Sequence, residues 1–242
     1  MGNIFLDLDK KRGLVLVPHP DDEIIGTGGL LVKYGKNLDT VCISSSGIPS
    51  PDGKYSAQVR NKMRIDEWTE VMKRLNVNST YINSTYGTDY PFIHKLNNCI
   101  KSIIDQIDLF QYDYIFIPGF LENHVEHRWL TYTFLPKLLK KKHKKGLRIV
   151  LYEVWALLPR VNNYLDISDV IKEKIDVFQL YVSQLLYVDY DKRVEGLNRY
   201  RGLMASNVKY AEGYYNMSLI EYKTTRLIYS IALKINRLIK KL

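Results

Sequence analysis

Leu14-Val15-Leu16-Val17-Pro18-His19-Pro20-Asp21-Asp22-Glu23 is the stretch whose reading decides the fold. Four aliphatic residues closed by a proline read as a strand buried on both faces. The polar junction then runs into Leu30-Leu31-Val32, which carries helical spacing. Further short apolar runs at 40–44, 80–82, 114–117 and 149–152 read as buried strands. Between them, 57–75 and 93–107 read as helices, the first placing Met63, Trp68, Val71, Met72 and Leu75 on one face. Strands alternating with helices predict an α/β, Rossmann-like fold: a mainly parallel sheet with helices on both faces, in a single domain over 1–218. A basic amphipathic C-terminal helix over 219–242 completes the chain.

Sites in such sheets form outside the carboxyl ends of strands. The polar stretches after the strands are therefore the places to search. They are 19–23, a Ser/Pro/Gly loop from Ser44 through Ser45 and Ser46 to Ser56, 118–127, and 153–160. The first and third hold three of the five histidines. His19 and Asp22 are three apart at a strand-to-helix junction and can aim at one point. His124 and His127 repeat that spacing after another strand. Catalytic zinc uses three nitrogen or carboxylate ligands and keeps a position for water. Asp21, between His19 and Asp22, is free to take a proton from that water. The spacing alone leaves open whether His124 or His127 is the third ligand. An Asp-Asp-Glu run also suits a helix N-terminus, and His-x-x-His a solvated helix face, but the two motifs together point to a metal site.

These residues also carry a resemblance. Val17 to Glu23 with Gly26-Thr27-Gly28-Gly29, then Arg64-x-x-Glu67, His124-x-x-His127, Lys174, Ser183-Gln184 and Tyr210-Ala211-Glu212 resemble, in order, the motifs of the PIG-L/LmbE-like zinc-dependent de-N-acetylases. The resemblance implies Zn2+, or another divalent ion, held by His19, Asp22 and His127. It implies Asp21 as general base, His124 as the group that stabilises developing charge or protonates the amine, and Arg64 as a substrate contact. It also implies an N-acetylglucosamine-like sugar or conjugate as substrate, with acetate released. Glu126 stands where the family often has Asp and is expected to orient His124 on a longer arm. Tyr181 stands where the family usually has His, so that stretch is assigned no catalytic part.

Other chemistries fare worse. Gly26-x-Gly28-Gly29 lacks dinucleotide-loop spacing and is read as tight helix packing. No G-x-S-x-G elbow supports a serine hydrolase. Cys42 and Cys99 are too far apart to imply a disulfide framework, and Cys42 reads as buried filler. His94 and His143 read as surface or packing residues. The N-terminus has no signal-peptide core, and no run reaches the roughly 20 apolar residues of a membrane span, so a cytoplasmic setting is expected.

The net charge of +9 is concentrated in Lys137–Arg148 and in the tail. In the tail, Leu227, Ile228, Ile231, Ile235, Leu238, Ile239 and Leu242 share one helical face. Arg226, Lys234, Arg237 and Lys241 lie mostly on another. That pattern fits peripheral contact of 219–242 with an anionic membrane, or packing on the domain or on a partner. The leading functional expectation is a deacetylase. A same-family amidase on a larger thiol-sugar or natural-product amide is the nearest rival. A basic nucleic-acid-binding module is the distant one, and no nucleic-acid partner is expected because no recognition motif appears.

Overall fold

The strand read at 14–17 is β1 (Gly13–Val17), buried at every position. Its successive side chains alternate between two cores, as a strand's pleat requires. Val15 and Val17 pack with Ile24, Leu31, Trp68, Val150 and Phe178 on one face. Leu14 and Leu16 pack with Ile103, Ile115, Phe134, Leu138 and Ile149 on the other. Burial on both sides is why the run is continuously apolar rather than alternating. The computed structural model describes residues 4–44, 49–82 and 92–239, with side chains throughout except at 92–96, 98–99 and 236–239. Ser45, Ser46 and Leu242, and the side chains of His94, Cys99, Leu238 and Ile239, therefore lie outside the described residues.

The remaining strands are β2 (Leu38–Cys42), β3 (Asn78–Tyr81), β4 (Tyr114–Pro118), β5 (Arg148–Tyr152), β6 (Asn163–Asp166) and β7 (Ala211–Ser218). They form one sheet in the order β3-β2-β1-β4-β5-β7-β6. The pairings from β3 through β5 are parallel, while β7 runs antiparallel to both β5 and β6. The order reverses between β1 and β4. Their carboxyl ends are therefore the switch point at which such sheets bind ligands, and they carry the two histidine motifs.

Helix α1 (Asp22–Tyr34) starts directly at the first motif. A Cβ on Gly26 would stand 2.3 Å from the Tyr152 ring and 2.6 Å from the Glu153 carbonyl, and one on Gly29 would stand 2.4 Å from Ile167. The glycine run is thus a close helix–sheet contact. Helix α2 (Ala57–Leu75) matches the predicted bounds, with Ser56 accepting from Val59 N as its N-cap. It buries Trp68, Val71 and Met72, and also Arg60, Asn61 and Arg64. Helix α3 (Phe92–Asp105) follows β3.

After β4 come α4 (Val125–Trp129), a π-helical turn (Leu130–Phe134) and α5 (Leu135–Leu138). The last helices are α6 (Ile171–Phe178), α7 (Val182–Leu185), α8 (Tyr190–Met204) and α9 (Leu219–Ile239). The π turn rests on α9: the Tyr222 hydroxyl donates to the Thr131 carbonyl at 2.6 Å. Among the described residues no helix is long and apolar enough to cross a membrane.

Part of the lysine cluster is structural. Lys141 Nζ donates to the carbonyls of Ile104 (2.9 Å) and Ile107 (2.5 Å) just where α3 ends, and Lys144 pairs with Asp113 at 3.0 Å. Cations at a helix C-terminus offset its negative end. These two lysines have an architectural use within the domain that needs no external anion.

Candidate functional site

β1 hands the chain to α1 through a strained corner. Asp21, the residue before the helix, has φ 107° and ψ −34°, a region that L-residues seldom occupy. Its carbonyl accepts from Ile24 N and Ile25 N at 3.1 and 3.0 Å, which begins the helix. The corner sets three polar side chains over the sheet's edge. All are buried: His19 is 4% exposed, Asp21 3% and Asp22 1%.

Across the switch point, His127 enters on α4 and is fully buried. Its Nε2 lies 3.1 Å from Asp22 Oδ2 and 3.3 Å from His19 Nδ1, and His19 Nδ1 lies 3.1 Å from the same Asp22 oxygen. The outer nitrogens are held by carboxylates. His127 Nδ1 is 3.1 Å from Glu122 Oε2, and His19 Nε2 is in contact with Glu126 Oε2. Glu122 and Glu126 hold the outer N–H of each ring, an assignment made from their partners, while the inner nitrogens both face Asp22. Two imidazole nitrogens and one carboxylate oxygen converge, and a bound cation would displace the inner protons and take the lone pairs.

That donor set suits zinc. Tetrahedral bonds of about 2.0–2.2 Å put neighbouring donors roughly 3.3–3.6 Å apart, close to the observed triangle. Asp22 Oδ1 is buried without a hydrogen-bond partner among the described residues, a further sign of a site made for a cation. The field agrees. Burial would lower the His127 pKa, but Asp22 and Glu122 outweigh it and raise it to about 10. Burial likewise works against the charged form of Asp22, yet His127 and His19 hold its pKa far below the ordinary carboxylate range.

A second triad, His19, His124 and His127, also brings its nitrogens within 4.8 Å of one another. His124 is a poorer fit. Its side chain is 42% exposed, whereas those of His19 and His127 are 6% and 0% exposed. Desolvation and the neighbouring His19 lower its pKa to about 4, so it stands neutral at the mouth of the site. It would therefore stabilise developing charge as a neutral group rather than as a cation. A neutral imidazole still offers one N–H.

Asp21 points to the same region. Burial, supplemented by the charge of Asp22 and opposed by Arg64, raises its pKa to about 7. Arg64, expected to contact substrate, is instead buried beneath Asp21. Its Nη2 donates to the Pro20 carbonyl at 2.7 Å and to Asp21 Oδ1 at 3.2 Å. Glu126 also departs from expectation: its carboxylate meets His19, and His124 Nδ1 stays 4.0 Å away. The extra methylene of Glu over Asp carries the acid past its near neighbour to the facing ring.

Glu122 was not foreseen. It is 1% exposed, and besides His127 it accepts the backbone amides of Val154 (3.2 Å), Trp155 (3.1 Å) and Ala156 (3.3 Å). No periodic pattern marks such a residue, since three of its four partners are backbone. The later motifs prove to be mutual partners. Glu67 accepts from Ser183 N at 2.7 Å and Oγ at 2.6 Å. Lys174 Nζ donates to Glu212 and Asn198, both at 2.8 Å, and Glu212 takes the Gly29 and Leu30 amides at 2.7 and 3.0 Å. The Lys174 and Glu212 contacts brace α1, while Glu67 and Ser183 tie α2 to α7. Tyr181 is buried too, its hydroxyl bonded to Glu23.

Residues 14–136 match the family model described as GlcNAc-PI de-N-acetylase, PIG-L. The chain belongs to the PIG-L family. It is 22% identical over 223 residues to the diacetylchitobiose deacetylase of Thermococcus kodakarensis, covering 85% of this chain and 82% of the relative. Among solved structures it is similar to the N,N'-diacetylchitobiose deacetylase of Pyrococcus horikoshii, with TM-score 0.68, 22% identity, and 89% and 88% of the two chains covered. It is also similar to the 4-carboxy-2-hydroxymuconate hydratase of Pseudomonas putida, with TM-score 0.63, 16% identity, and 86% and 96% covered. At these identities the structural likenesses speak for the fold. The PIG-L fold carries more than one chemistry, so the reaction has to be argued from the site.

Proposed function

We propose that this PIG-L protein is a metal-dependent N-deacetylase that hydrolyses the acetamide of an N-acetylglucosamine-like sugar or sugar conjugate, giving acetate and a free amine. The observation that carries the reading is the convergence of His19 Nδ1, Asp22 Oδ2 and His127 Nε2, spaced 3.1–3.3 Å, with the buried carboxylate of Asp21 on the residue before Asp22. His19, Asp22 and His127 would hold the ion, with zinc the first candidate for a nitrogen-and-carboxylate set and other divalent ions also able to bind. Such an ion supplies Lewis acidity toward the attacking water and the amide oxygen.

The protein's own groups do the proton work. Asp21 accepts the proton of the attacking water as oxygen adds to the acetamide carbon. Arg64, bonded to Asp21 Oδ1, keeps that carboxylate aimed and tempers its basicity. The His124 N–H at the mouth donates to the oxygen on which negative charge develops. Asp21 then returns its proton to the nitrogen as the C–N bond breaks, so water is consumed and acetate and amine leave. Glu122 and Glu126 fix the ring orientations of His127 and His19. The sugar class rests on the family and on the deacetylases it resembles. A cytoplasmic setting is part of the proposal and fits the buried, unpaired Cys42 thiol.

The test is product analysis. The metal-loaded protein is expected to release acetate and free amine in equal amounts from N-acetylated glucosamine compounds. Release of a larger acid from a thiol-sugar or natural-product amide, without acetate, would favour the amidase reading. Failure of every N-acyl substrate would remove both.

A further inference from the structure

Helix α9 carries two unlike faces. Toward the domain, Tyr222 and Tyr229 stack on Phe120 with ring centroids 5.8 and 5.5 Å away, and Arg226 reaches the Tyr132 carbonyl. On the opposite side Leu227, Ile228, Ile231 and Ile235 are 49–59% exposed, and Ile220 is 78% exposed. At roughly 100° per residue these five aliphatic residues fall in an arc opposite Tyr222. A row of large aliphatics facing away from a folded domain asks for a covering surface.

Charge selects the cover. Lys223 and Lys234 are exposed along one border of the arc. The helix holds a single acid, Glu221, which is occupied by the Ser218 amide at 2.6 Å. The sequence adds Arg237, Lys240 and Lys241, and no acidic residue follows Glu221. A second copy of the chain would set lysines against lysines around the apolar row, which is repulsive at close range. An anionic bilayer meets both needs, since its headgroup boundary takes aliphatic side chains and its phosphates take lysines. We propose that α9 is an interfacial helix that docks this protein on an anionic membrane surface through Leu227, Ile228, Ile231 and Ile235, flanked by Lys223 and Lys234.

The test is co-sedimentation of the full-length protein with phosphatidylcholine vesicles, with and without phosphatidylglycerol, at low and high salt. Two variants, Ile231→Glu with Ile235→Glu and Lys223→Glu with Lys234→Glu, change only exposed positions; a melting curve checks their folding. Binding is expected to require phosphatidylglycerol, to weaken with salt, and to fall roughly tenfold or more in each variant. No sedimentation of the intact protein would overturn the proposal, as would undiminished binding of the Ile231→Glu, Ile235→Glu protein. A concentration-dependent dimer that this variant dissolves, without vesicle binding, would assign the face to a second copy and equally overturn it.

Discussion

Glu122 Oε2 lies 3.1 Å from His127 Nδ1, and the same carboxylate collects three backbone amides from 154–156. One buried acid thus ties the loop after β4 to the loop after β5 and fixes which His127 nitrogen faces Asp22. Replacing it with Gln keeps the shape but removes the charge that orients the ring. Glu122→Gln is expected to weaken metal binding about 10- to 100-fold, measured by competition with a chromogenic chelator. Unaltered affinity would mean that the pair only packs the loops.

Asp21 is the assigned base, and its substitution should separate catalysis from metal binding. Asn is the better probe than Ala, because Asn tolerates the φ of 107° at this position. Asp21→Asn is expected to keep its metal, as read by elemental analysis, and to lose about 10²- to 10⁴-fold in kcat. A variant with full turnover would move the base elsewhere.

Two glycines make a paired stability test. An alanine Cβ at Gly26 would meet the Tyr152 ring at 2.3 Å and a backbone oxygen at 2.6 Å, whereas at Gly196, inside α8, it would meet nothing within 4 Å. Gly26→Ala is expected to destabilise by about 1–3 kcal/mol or more through overpacking. Gly196→Ala should stabilise by roughly 0.4–1 kcal/mol through helix propensity and the unfolded chain. Denaturant titration reads both, and equal shifts would contradict the packing account of the glycine run.

The same contrast shows what the sequence made legible. The two histidine motifs were legible because each follows a continuous apolar strand; that β1 and β4 are neighbours, where the strand order reverses, shows only in the fold. β6 and β7 were not foreseen. Their buried positions include Asn163, Glu212 and Asn216, which spoil an apolar pattern while serving as hydrogen-bond partners. Asn163 Oδ1, for example, accepts the Ile4 amide at 3.0 Å. Glu126 was assigned to His124, its neighbour two residues away, because spacing shows adjacency along the chain. The facing ring of His19 is adjacent only in the fold. Arg64 likewise is expected from the sequence as a substrate contact and becomes a partner of Asp21 only when α2 packs on the corner after β1.

Far from the site, Asp39 gives a pH test. Its burial alone would raise the pKa, but Asn78, Arg12 and Tyr112 donate to it at 2.9, 2.6 and 2.7 Å and hold it below the ordinary 3.8. A carboxylate with a depressed folded pKa stabilises the fold above its unfolded value, and that contribution is lost as pH falls through the folded pKa. Asp39→Asn is therefore expected to cost about 1–3 kcal/mol at neutral pH, with the gap to the parent protein closing below about pH 4. A gap independent of pH would assign the loss to packing.

The central claim is hydrolysis of an N-acetyl group at the His19–Asp22–His127 centre. Its most direct measurement is quantitative release of acetate by the metal-loaded protein from free, nucleotide-linked and lipid-linked N-acetylglucosamine, beside the His127→Ala variant. Acetate and free amine in equal amounts from at least one substrate, abolished by chelation or by His127→Ala and restored to the parent protein by zinc, is the predicted result. No acetate from any of them, or acetate release that survives both chelation and loss of His127, would contradict it.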